Sequence, residues 1–359
     1  MATPILKIFS HQGCQSYLLG CRDTQEAALI DPKVGMEEMY HYFLQAYGLK
    51  LKAVVDTHTH ADHLSASSRL ATGDVALYMS TNTQVQRERL SLAHGQTLRL
   101  GSLALEAHSV PGHTEDSLAL VGEGMAFTGD SLLIGSLGRA DFHGSNPEQL
   151  WQSVQRELMP LPQDTLVFPG HSYQDILFST IGAEQEQNSA LAFADAQSYA
   201  ASLNIVEGAG NSPAVDQMLA LNQEANPELP DVVGNAAACC AGGGGMAQQD
   251  IAELTTEEAY QAYSAMADAT HWVDVRDPQE WAQGHIPNTT LISLSELGFH
   301  LKQLRQADPL YLCCRSGVRS VTAAKTLQRL GVQATPHSVA GGILGWQAHG
   351  FPIEGGVLA

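Results

Sequence analysis

The first half of the chain repeats one pattern, a short apolar run that ends in a polar turn with histidine or aspartate. Apolar runs of this length predict strands, and the loops at strand ends are where functional side chains are displayed. We therefore expect a β-rich domain that carries polar residues at its strand ends. The pattern occurs four times, in LKAVVDTHTHADH (51–63), LALEAHSVPGHT (103–114), GMAFTGD (124–130) and DTLVFPGH (164–171).

Helical spacing appears between these strands. The stretch MEEMYHYFLQAYGL (36–49) predicts an amphipathic helix. Its apolar face would comprise Met36, Met39, Tyr40, Phe43, Leu44 and Tyr47.

A glycine-rich stretch divides the chain. Residues 233–246, VGNAAACCAGGGGM, hold four consecutive glycines and almost no bulky side chain, so they cannot bury enough surface to form an element. We place the first domain at 1–241, the linker at 242–252 and a second domain at 253–359. The chain length of 359 residues suits two domains.

The second domain reads as a smaller α/β unit. The strands HWVDVRD (271–277) and PLYLCC (309–314) precede a helix, SVTAAKTLQRLG (320–331). Gly331 follows Leu330 and predicts the end of that helix.

Charge and hydropathy limit the possible cellular location of the protein and its possible binding partners. The formal charge of −20 argues against non-specific nucleic-acid binding, which needs Lys and Arg to neutralise phosphates. From residue 251 onward, seven Lys or Arg stand against ten Asp or Glu, so the first 250 residues carry −17 of that charge. No apolar run approaches the roughly 18 residues of a membrane span, and MATPILKIFS lacks the features of a signal peptide. We expect a cytoplasmic protein that binds no membrane.

Cysteine spacing does not indicate secreted disulfides. Four of the six cysteines form two pairs of sequence neighbours, so reduced thiols are the default. A cysteine whose surroundings distinguish it is then a candidate for chemistry. The six cysteines are Cys14, Cys21, Cys239, Cys240, Cys313 and Cys314.

Histidine and aspartate at the four strand ends predict a metal centre. THTHADH (57–63) places alternate imidazoles on an extended turn, where two can face one ion. Three other strand ends add residues of the same ligand types. The seven candidates are His58, His60, Asp62, His63, His113, Asp130 and His171.

These motifs resemble the metallo-β-lactamase fold over about residues 5–240. The resemblance implies an αββα sandwich with a metal site at one edge of the packed sheets. The common chemistry of that superfamily is hydrolysis at two zinc ions, with Asp130 in the bridging position here. All seven ligand positions are occupied, so the spacing leaves this option open.

Longer strings resemble the persulfide dioxygenases, the branch that includes the ethylmalonic encephalopathy protein. GRADF (138–142), after the metal aspartate, is the most discriminating string, and VVGNAAACCAG (232–242) resembles the C-terminal cysteine segment of that branch. That resemblance implies one Fe(II) per chain, with His58, His113 and Asp130 as ligands. Two histidines and one carboxylate leave open positions on iron for a persulfide sulfur and O2.

Further roles follow from the same resemblance. His60, Asp62, His63 and His171 then surround the ligands rather than bind iron. Arg139 in GRADF and Tyr173 in GHSY are candidates to contact the glutathione moiety of the substrate, and an ordinary ion pair or a packed phenol is the alternative. Cys239 and Cys240 have no role that the sequence settles.

The string YLCCRSGVRS (311–320) predicts a reactive cysteine. A loop that turns its backbone N–H groups toward a cysteine at a helix N-terminus forms an anion cradle, which lowers the thiol pKa and stabilises a persulfide. Cys314 occupies that place, and Arg315 and Arg319 add positive charge for a sulfur oxyanion. Cys313 ends the strand and is expected to be a small buried residue.

This second domain is similar to rhodanese, the sulfurtransferase fold, over about residues 253–356. Supporting strings are WVDVRDPQEW, GHIP (284–287) and GGILGW (341–346). The loop from Cys314 to Arg319 has the six-residue length of the sulfur-transferring form, whereas the related phosphatases have one residue more. An inactive docking module normally lacks the cysteine that is present here.

The combined hypothesis is a persulfide dioxygenase fused to a rhodanese. Cys314 would exchange sulfane sulfur between thiosulfate or sulfite and glutathione, and the iron site would oxidise glutathione persulfide with O2 to sulfite. The direction of transfer and the oligomeric state stay open, with a homo-oligomer among the options. The alternative is a two-zinc thioesterase of the glyoxalase II kind with a rhodanese module for sulfur delivery.

Overall fold

The computed structural model describes residues 4–203, 212–224, 251–266, 271–332 and 336–356. These residues form two compact units. The first holds the described residues up to 173 and from 178 to 224, and the second holds 174–177 and those from 251 onward. Cys239, Cys240 and nearly all of the predicted linker lie outside the described residues.

Two six-stranded sheets make the body of the first unit. In the first sheet, three antiparallel strands continue into three parallel ones, in sequence order. Its strands are β1 (Ile5–His11), β2 (Cys14–Gly20), β3 (Glu26–Ile30), β4 (Lys50–Val55), β5 (Ala76–Ser80) and β6 (Leu90–Leu92).

The second sheet has the order β14-β13-β10-β9-β8-β7, and only its β10–β13 pair is parallel. Its strands are β7 (Thr97–Leu100), β8 (Leu103–Ser109), β9 (Leu118–Gly122), β10 (Met125–Gly129), β13 (Leu166–Pro169) and β14 (Ser179–Thr180). A separate two-stranded ribbon consists of β11 (Leu132–Leu133) and β12 (Ser136–Leu137).

Helices cover the outer faces of the two sheets. The first core cluster packs the predicted amphipathic helix against the first sheet through Tyr40, Phe43 and Leu44. Met39, which was expected on that face, is 46% exposed instead because the face is narrower than the sequence pattern suggests. The helices are α1 (Glu37–Ala46), α2 (Ser67–Leu70), α3 (Pro147–Glu157), α4 (Ile181–Gln187), α5 (Ala196–Ser202) and α6 (Pro213–Glu224).

Aromatic rings join the two sheets. Tyr17 of β2 packs edge-on against Phe127 of β10 and Phe168 of β13, with ring centroids 5.1 and 5.6 Å apart. A second cluster on the far side of the second sheet includes Leu150 and Val154 of α3. The layers are therefore helix, sheet, sheet and helix, which confirms the predicted αββα sandwich.

The second unit is a parallel sheet with the order β15-β19-β18-β16-β17. Its core contains the fully buried Trp272 and Trp346. The strands are β15 (Ala252–Leu254), β16 (Trp272–Asp274), β17 (Thr290–Leu291), β18 (Leu310–Cys313) and β19 (Pro336–Val339). The helices are α7 (Thr256–Ala265), α8 (Pro278–Ala282), α9 (Leu301–Leu304), α10 (Val318–Arg329) and α11 (Gly342–Ala348).

Several local predictions for the second unit are confirmed. Helix α10 ends at Arg329 with Leu330 as its C-cap, and Gly331 follows with a positive φ of 63°. Cys313 is the last residue of β18, so Cys314 begins the loop. The predicted α/β character of this unit is confirmed as well. Within the described ranges, every helix falls short of the length and apolar character that a bilayer crossing requires.

Candidate metal centre and cysteine loop

The predicted ligands of the first unit come from the ends of four strands. His58, His60, Asp62 and His63 follow β4, His113 follows β8, Asp130 follows β10 and His171 follows β13. All seven side chains are buried, each with at most 8% of its surface exposed. The two sheets therefore bring together residues that lie more than a hundred positions apart.

Two buried aspartates hold the loop that follows β4. Asp31 accepts hydrogen bonds from the backbone N–H and the hydroxyl of Thr57, at 2.7 and 2.8 Å. Asp116 accepts a bond of 2.6 Å from the hydroxyl of Thr59 and further bonds from its backbone N–H. These bonds fix the two threonines that precede and follow His58 in the chain.

Three ligand atoms converge at one point. His58 Nε2 and His113 Nε2 lie 3.8 and 3.5 Å from Asp130 Oδ2, and all three atoms are within 4.8 Å of one another. Among the described residues, His58 Nε2 has no hydrogen-bond partner although it is buried. A buried nitrogen without a partner is costly unless a metal or another group satisfies it.

The tautomers of the two histidines suit metal binding. His113 Nδ1 lies 2.8 Å from the carbonyl oxygen of Arg139, so Nδ1 donates and Nε2 keeps its lone pair. His58 Nδ1 lies 3.0 Å from the hydroxyl of Thr57, which already donates to Asp31, so this Nδ1 also donates. Both Nε2 lone pairs therefore face Asp130, and the set fits a divalent metal with two imidazoles and one carboxylate.

Electrostatics keep these ligands in their binding forms. Burial and the neighbouring His60 lower the pKa of His58 from 6.5 to about 3, so the ring is neutral near pH 7. Burial opposes ionisation of Asp130, yet the charge and hydrogen bond of His171 and the charge of His113 hold the pKa of Asp130 below its ordinary value. A carboxylate and a neutral imidazole are the forms that ligate metals.

Two glycines are required by the crowding around Asp130. A side chain at Gly138 would place its Cβ 1.8 Å from the Asp130 carbonyl oxygen and 3.2 Å from His113 Nδ1. A Cβ at Gly170 would lie 2.4 Å from Asp130 Oδ1. The GRADF string thus has a physical basis, because only glycine lets the chain pass Asp130 and bring the Arg139 carbonyl to His113.

Three of the remaining four residues, Asp62, His63 and His171, form a second group beside the first. His171 lies between two carboxylates, with Nδ1 2.7 Å from Asp130 Oδ1 and Nε2 2.9 Å from Asp62 Oδ2. His63 Nδ1 lies 3.0 Å from the same Asp62 oxygen, and that carboxylate raises the pKa of His63 to about 10 in spite of its burial. Asp62, Asp130 and His171 are themselves close enough to share an ion.

The ring of His60 lies beside both groups, with its centroid 4.2 Å from those of His58 and His63. Among the described residues, its buried Nδ1 has no hydrogen-bond partner. Its Nε2 lies 3.2 Å from Asp31 Oδ1, and Asp31 also anchors the backbone of Thr57. His60 thereby ties the loop to the end of β3.

Asn222 of α6 is a residue that the sequence reasoning missed. Its amide nitrogen donates to the carbonyl oxygens of His60 and His63, both at 2.8 Å, and its oxygen accepts from the N–H of Ser65 at 3.0 Å. One buried side chain on a helix some 160 positions away thus fixes both ends of the loop that carries the predicted ligands. No local signal in the sequence points to it.

Asp31 and Cys14 were also missed. Asp31 follows the apolar strand EAALI, so the same strand-end pattern that identified Asp130 could have found it. The Cys14 thiol lies 3.4 Å from both Asp62 Oδ2 and the ammonium group of Lys33. Burial opposes ionisation of this thiol, but hydrogen bonds with His171 and His63 lower the pKa of Cys14 to about 6.

The two predicted substrate contacts lie at different depths. Tyr173 is 48% exposed and stacks on His171 at a centroid distance of 5.7 Å, so its ring adjoins the buried group. The Arg139 guanidinium bonds to Asp141 at 2.6 Å and lies 5.6 Å from the centroid of Phe142. Arg139 therefore contributes its backbone carbonyl to His113, and its side chain already has an acidic partner.

The cysteine loop of the second unit is built from backbone groups. Cys314 is 1% exposed, and its sulfur accepts a hydrogen bond from the N–H of Gly317 at 3.1 Å, with the Ser320 hydroxyl 3.6 Å away. Gly317 has a φ of 98° and precedes the first turn of α10. The sulfur therefore faces the positive end of a twelve-residue helix.

A second helix start supports the loop from outside. The N–H groups of Ile343 and Leu344 in α11 donate to the carbonyl oxygens of Cys314 and Arg315, at 2.8 and 3.1 Å. A Cβ at Gly342 would lie 2.3 Å from the Cys314 oxygen. The GGILGW string is thus needed for the close approach of α11 to the loop.

The two predicted arginines differ in their surroundings. Arg319 makes a two-pronged ion pair with Glu280, at 2.6 and 2.7 Å, and this hydrogen bond raises the pKa of Arg319. Arg315 is exposed and has no ion-pair partner among the described residues. Cys313 is buried, and burial together with Asp274 raises the pKa of its thiol well above the ordinary value.

The other motif residues of this unit are structural. Arg276 is fully buried, bonds to Asp274 at 2.6 Å and donates to the carbonyl oxygen of Gly284 at 2.8 Å. The WVDVRD and GHIP strings therefore hold each other in place. The four cysteines within the described ranges are all free thiols.

Family models match each half of the chain. Residues 87–171 match the metallo-beta-lactamase superfamily, and residues 256–349 match the rhodanese-like domain. Both matches agree with the folds of the two units.

Individual relatives are similar to the first half. The persulfide dioxygenase ETHE1 of Homo sapiens, a mitochondrial protein, is 35% identical over 195 residues, which cover 52% of this chain and 75% of that protein. The crystal structure of ETHE1 from Myxococcus xanthus is similar with a TM-score of 0.57 and 31% identity, over 61% of this chain and 98% of that one. A hydroxyacylglutathione hydrolase of Pseudoalteromonas translucida is 33% identical over 44% of this chain and 60% of its own length.

Proposed function

This chain belongs to the persulfide dioxygenase family and also carries a rhodanese-like domain. We propose that it is a bifunctional enzyme that oxidises and transfers sulfane sulfur. The first unit would oxidise glutathione persulfide with O2, and the second would exchange sulfane sulfur between thiosulfate and glutathione. Both activities would act on glutathione persulfide. The second unit would make or consume it, and the first unit would oxidise it.

The convergence of His58 Nε2, His113 Nε2 and Asp130 Oδ2 carries the first half of the proposal. Two imidazoles and one carboxylate are the ligand set of non-haem Fe(II) enzymes. When bound there, one Fe(II) per chain would supply open coordination positions for the substrate sulfur and for O2. In balanced form, glutathione persulfide, O2 and water give glutathione, sulfite and two protons.

The protein residues around this set have three tasks. Thr57 and the Arg139 carbonyl keep a proton on Nδ1 of His58 and of His113, so each Nε2 remains a ligand. His171 keeps Asp130 ionised by charge and hydrogen bond. Tyr173, half exposed beside His171, would contact the glutathione moiety, and Arg139 would do so only by exchanging Asp141 for a substrate carboxylate.

Cys314 carries the second half of the proposal. Its thiolate attacks the outer sulfur of thiosulfate, the S–S bond breaks, and sulfite leaves with the electron pair while a Cys314 persulfide forms. The glutathione thiol then takes the outer sulfur, which regenerates the Cys314 thiolate and yields glutathione persulfide. The Gly317 N–H and the start of α10 stabilise the anionic sulfur in each state. The reverse sequence uses the same groups.

A two-zinc hydrolase is the second candidate, and one observation favours it. Asp62, Asp130 and His171 lie close enough to share an ion directly beside the first group. A chain of this kind would hydrolyse a glutathione thioester in the first unit and use the rhodanese-like unit to deliver sulfur. The metal content separates the two candidates.

The test combines metal analysis with oxygen uptake. We expect one iron per chain, and oxygen consumption with glutathione persulfide that yields sulfite. Two zincs per chain, together with thioester hydrolysis and no oxygen uptake, would overturn the dioxygenase proposal. Oxygen uptake with thiosulfate and glutathione as the only substrates then tests whether both sites act in sequence.

Location and domain limits are further parts of the proposal. We place the dioxygenase domain at 1–241, the linker at 242–252 and the sulfurtransferase domain at 253–359. The free thiols of Cys14, Cys21, Cys313 and Cys314 suit the reducing environment of the cytoplasm.

A further inference from the structure

A second group of metal-ligating side chains lies outside the site described above. It consists of His94, in the turn between β6 and β7, His108 of β8 and Glu157, the last residue of α3. His94 Nδ1 and His108 Nδ1 lie 3.7 and 3.3 Å from Glu157 Oε2. The three ligand atoms are within 4.8 Å of one another.

The scaffold holds these three residues in place. The turn that carries His94 is closed by a bond from Gln96 N–H to the Ala93 oxygen, at 3.0 Å. Next to His94, the Gly95 N–H donates to the carbonyl oxygen of Ala107 at 2.8 Å, so the turn is fastened to the residue before His108. The group is thus preformed by backbone bonds and does not depend on a mobile loop.

Both Nδ1 atoms make long hydrogen bonds in this structure. His108 Nδ1 lies 3.3 Å from Glu157 Oε2 and donates its proton to that oxygen. His94 Nδ1 accepts from the backbone N–H of Ser109, also at 3.3 Å. A cation between the three atoms would displace the proton of His108 Nδ1 and the bond from Ser109, and Glu106 Oε1, 3.6 Å from His108 Nε2, would then hold the ring proton on Nε2.

Glu157 is ionised and its second oxygen is occupied. Burial opposes its ionisation, but the hydrogen bonds with Arg156 and His108 lower the pKa of Glu157. Arg156 binds the Oε1 atom at 2.7 Å, which leaves Oε2 for the two histidines. The carboxylate is only 13% exposed, whereas the side chain of His94 is 54% exposed.

We propose that His94, His108 and Glu157 form a peripheral Zn²⁺ site. Imidazole and carboxylate ligands suit zinc, and three protein ligands leave a fourth position for water. The exposure of His94 makes the ion accessible from solvent. The site shares no residue with the proposed iron centre, so its occupancy is separate from dioxygenase activity.

The test uses the holoenzyme with its main metal site already loaded with iron. Titration with Zn²⁺, followed by calorimetry, is expected to show one additional ion bound per chain with no loss of iron. His94→Ala and Glu157→Gln should each abolish that binding step. His94→Ala changes an exposed residue, so the fold is expected to survive, and an unchanged melting temperature without zinc verifies this.

The matched control is His349→Ala. His349 is an exposed histidine 2.7 Å from Glu257, so it reproduces a histidine–carboxylate pair, and no second imidazole joins it among the described residues. This variant should bind the additional zinc like the unmodified protein. The proposal is overturned if the holoenzyme takes up no additional zinc, if zinc uptake is matched by iron release, or if His94→Ala binds zinc as before. The group would then be no more than a hydrogen bond between His108 and Glu157.

Discussion

Under the proposed function, the candidate metal centre and the cysteine loop both control a charged sulfur, and they do so by different means. The metal centre draws its residues from four separated parts of the chain and orients them through side-chain networks around Asp31, Asp116 and Asn222. The cysteine loop takes its contacts from backbone N–H groups close to Cys314 and from two helix starts. A distant substitution should therefore damage the first site, whereas the second depends on its own few residues.

The largest expected effect is the loss of transfer in Cys314→Ser. Removal of the nucleophile should lower thiosulfate–glutathione sulfur transfer by about three orders of magnitude or more. Oxygen uptake with glutathione persulfide should be unchanged, because no residue of the metal group is altered. Transfer at the original rate would rule out Cys314 as the sulfur carrier, and Cys313→Ser, at the buried neighbouring thiol, is the matched control for the position.

The reciprocal change is Asp130→Asn. It removes the charge that faces both ligand nitrogens, so we expect metal affinity to fall by about 100-fold or more, beyond the loss typical of residues that only support ligands. Metal content and oxygen uptake should fall together while sulfur transfer persists. A variant that retained iron with full affinity would contradict the assignment of Asp130.

Asn222→Ala tests whether the metal centre depends on distant structure. The change leaves two carbonyl oxygens and one N–H of the metal-binding loop without their partner, so we expect about a 10- to 100-fold loss in metal affinity. Gln217→Ala, on an exposed position of the same helix, should have no effect. Equal affinities for the two variants would show that α6 does not position the loop.

Acidification should leave His58 neutral until low pH. Burial and the neighbouring His60 lower the pKa of His58 to about 3, so this ring gains no proton as pH falls through the ordinary histidine value of 6.5. An NMR titration of His58 in the metal-free protein should therefore show its protonation step well below pH 6.5. A step at the ordinary histidine value would contradict the neutral state proposed for His58.

The smallest expected effect separates the two arginines of the cysteine loop. Arg315 is exposed and has no ion-pair partner among the described residues, whereas the charge of Arg319 is offset by Glu280. We expect Arg315→Ala to raise the KM for thiosulfate by about fivefold, in line with one exposed charge interaction, and Arg319→Ala to raise it less. The opposite order would show that Arg319 leaves Glu280 when the substrate binds.

Sequence patterns predicted the fold well where periodicity was strong. The strand ends that carry His58, His113, Asp130 and His171 are confirmed, as are the two fold types and the place of Cys313 at the end of its strand. The prediction that Met39 is buried was wrong, because helical spacing does not determine how wide the buried face of a helix is. Asn222 could not be predicted, because a buried amide on a helix has no local pattern.

Sequence alone determined the chemistry available to this protein, since residue types, strand-end positions and the short loop after Cys314 are local properties. Tertiary structure decided how those groups are used. It brings His171 within hydrogen-bond distance of Asp62 and Asp130, and it pairs Arg319 with Glu280. It also places His94 and His108 around Glu157. The physical reason is that hydrogen bonds and charge interactions act over a few ångströms, and only the packing of distant strands and helices sets those distances.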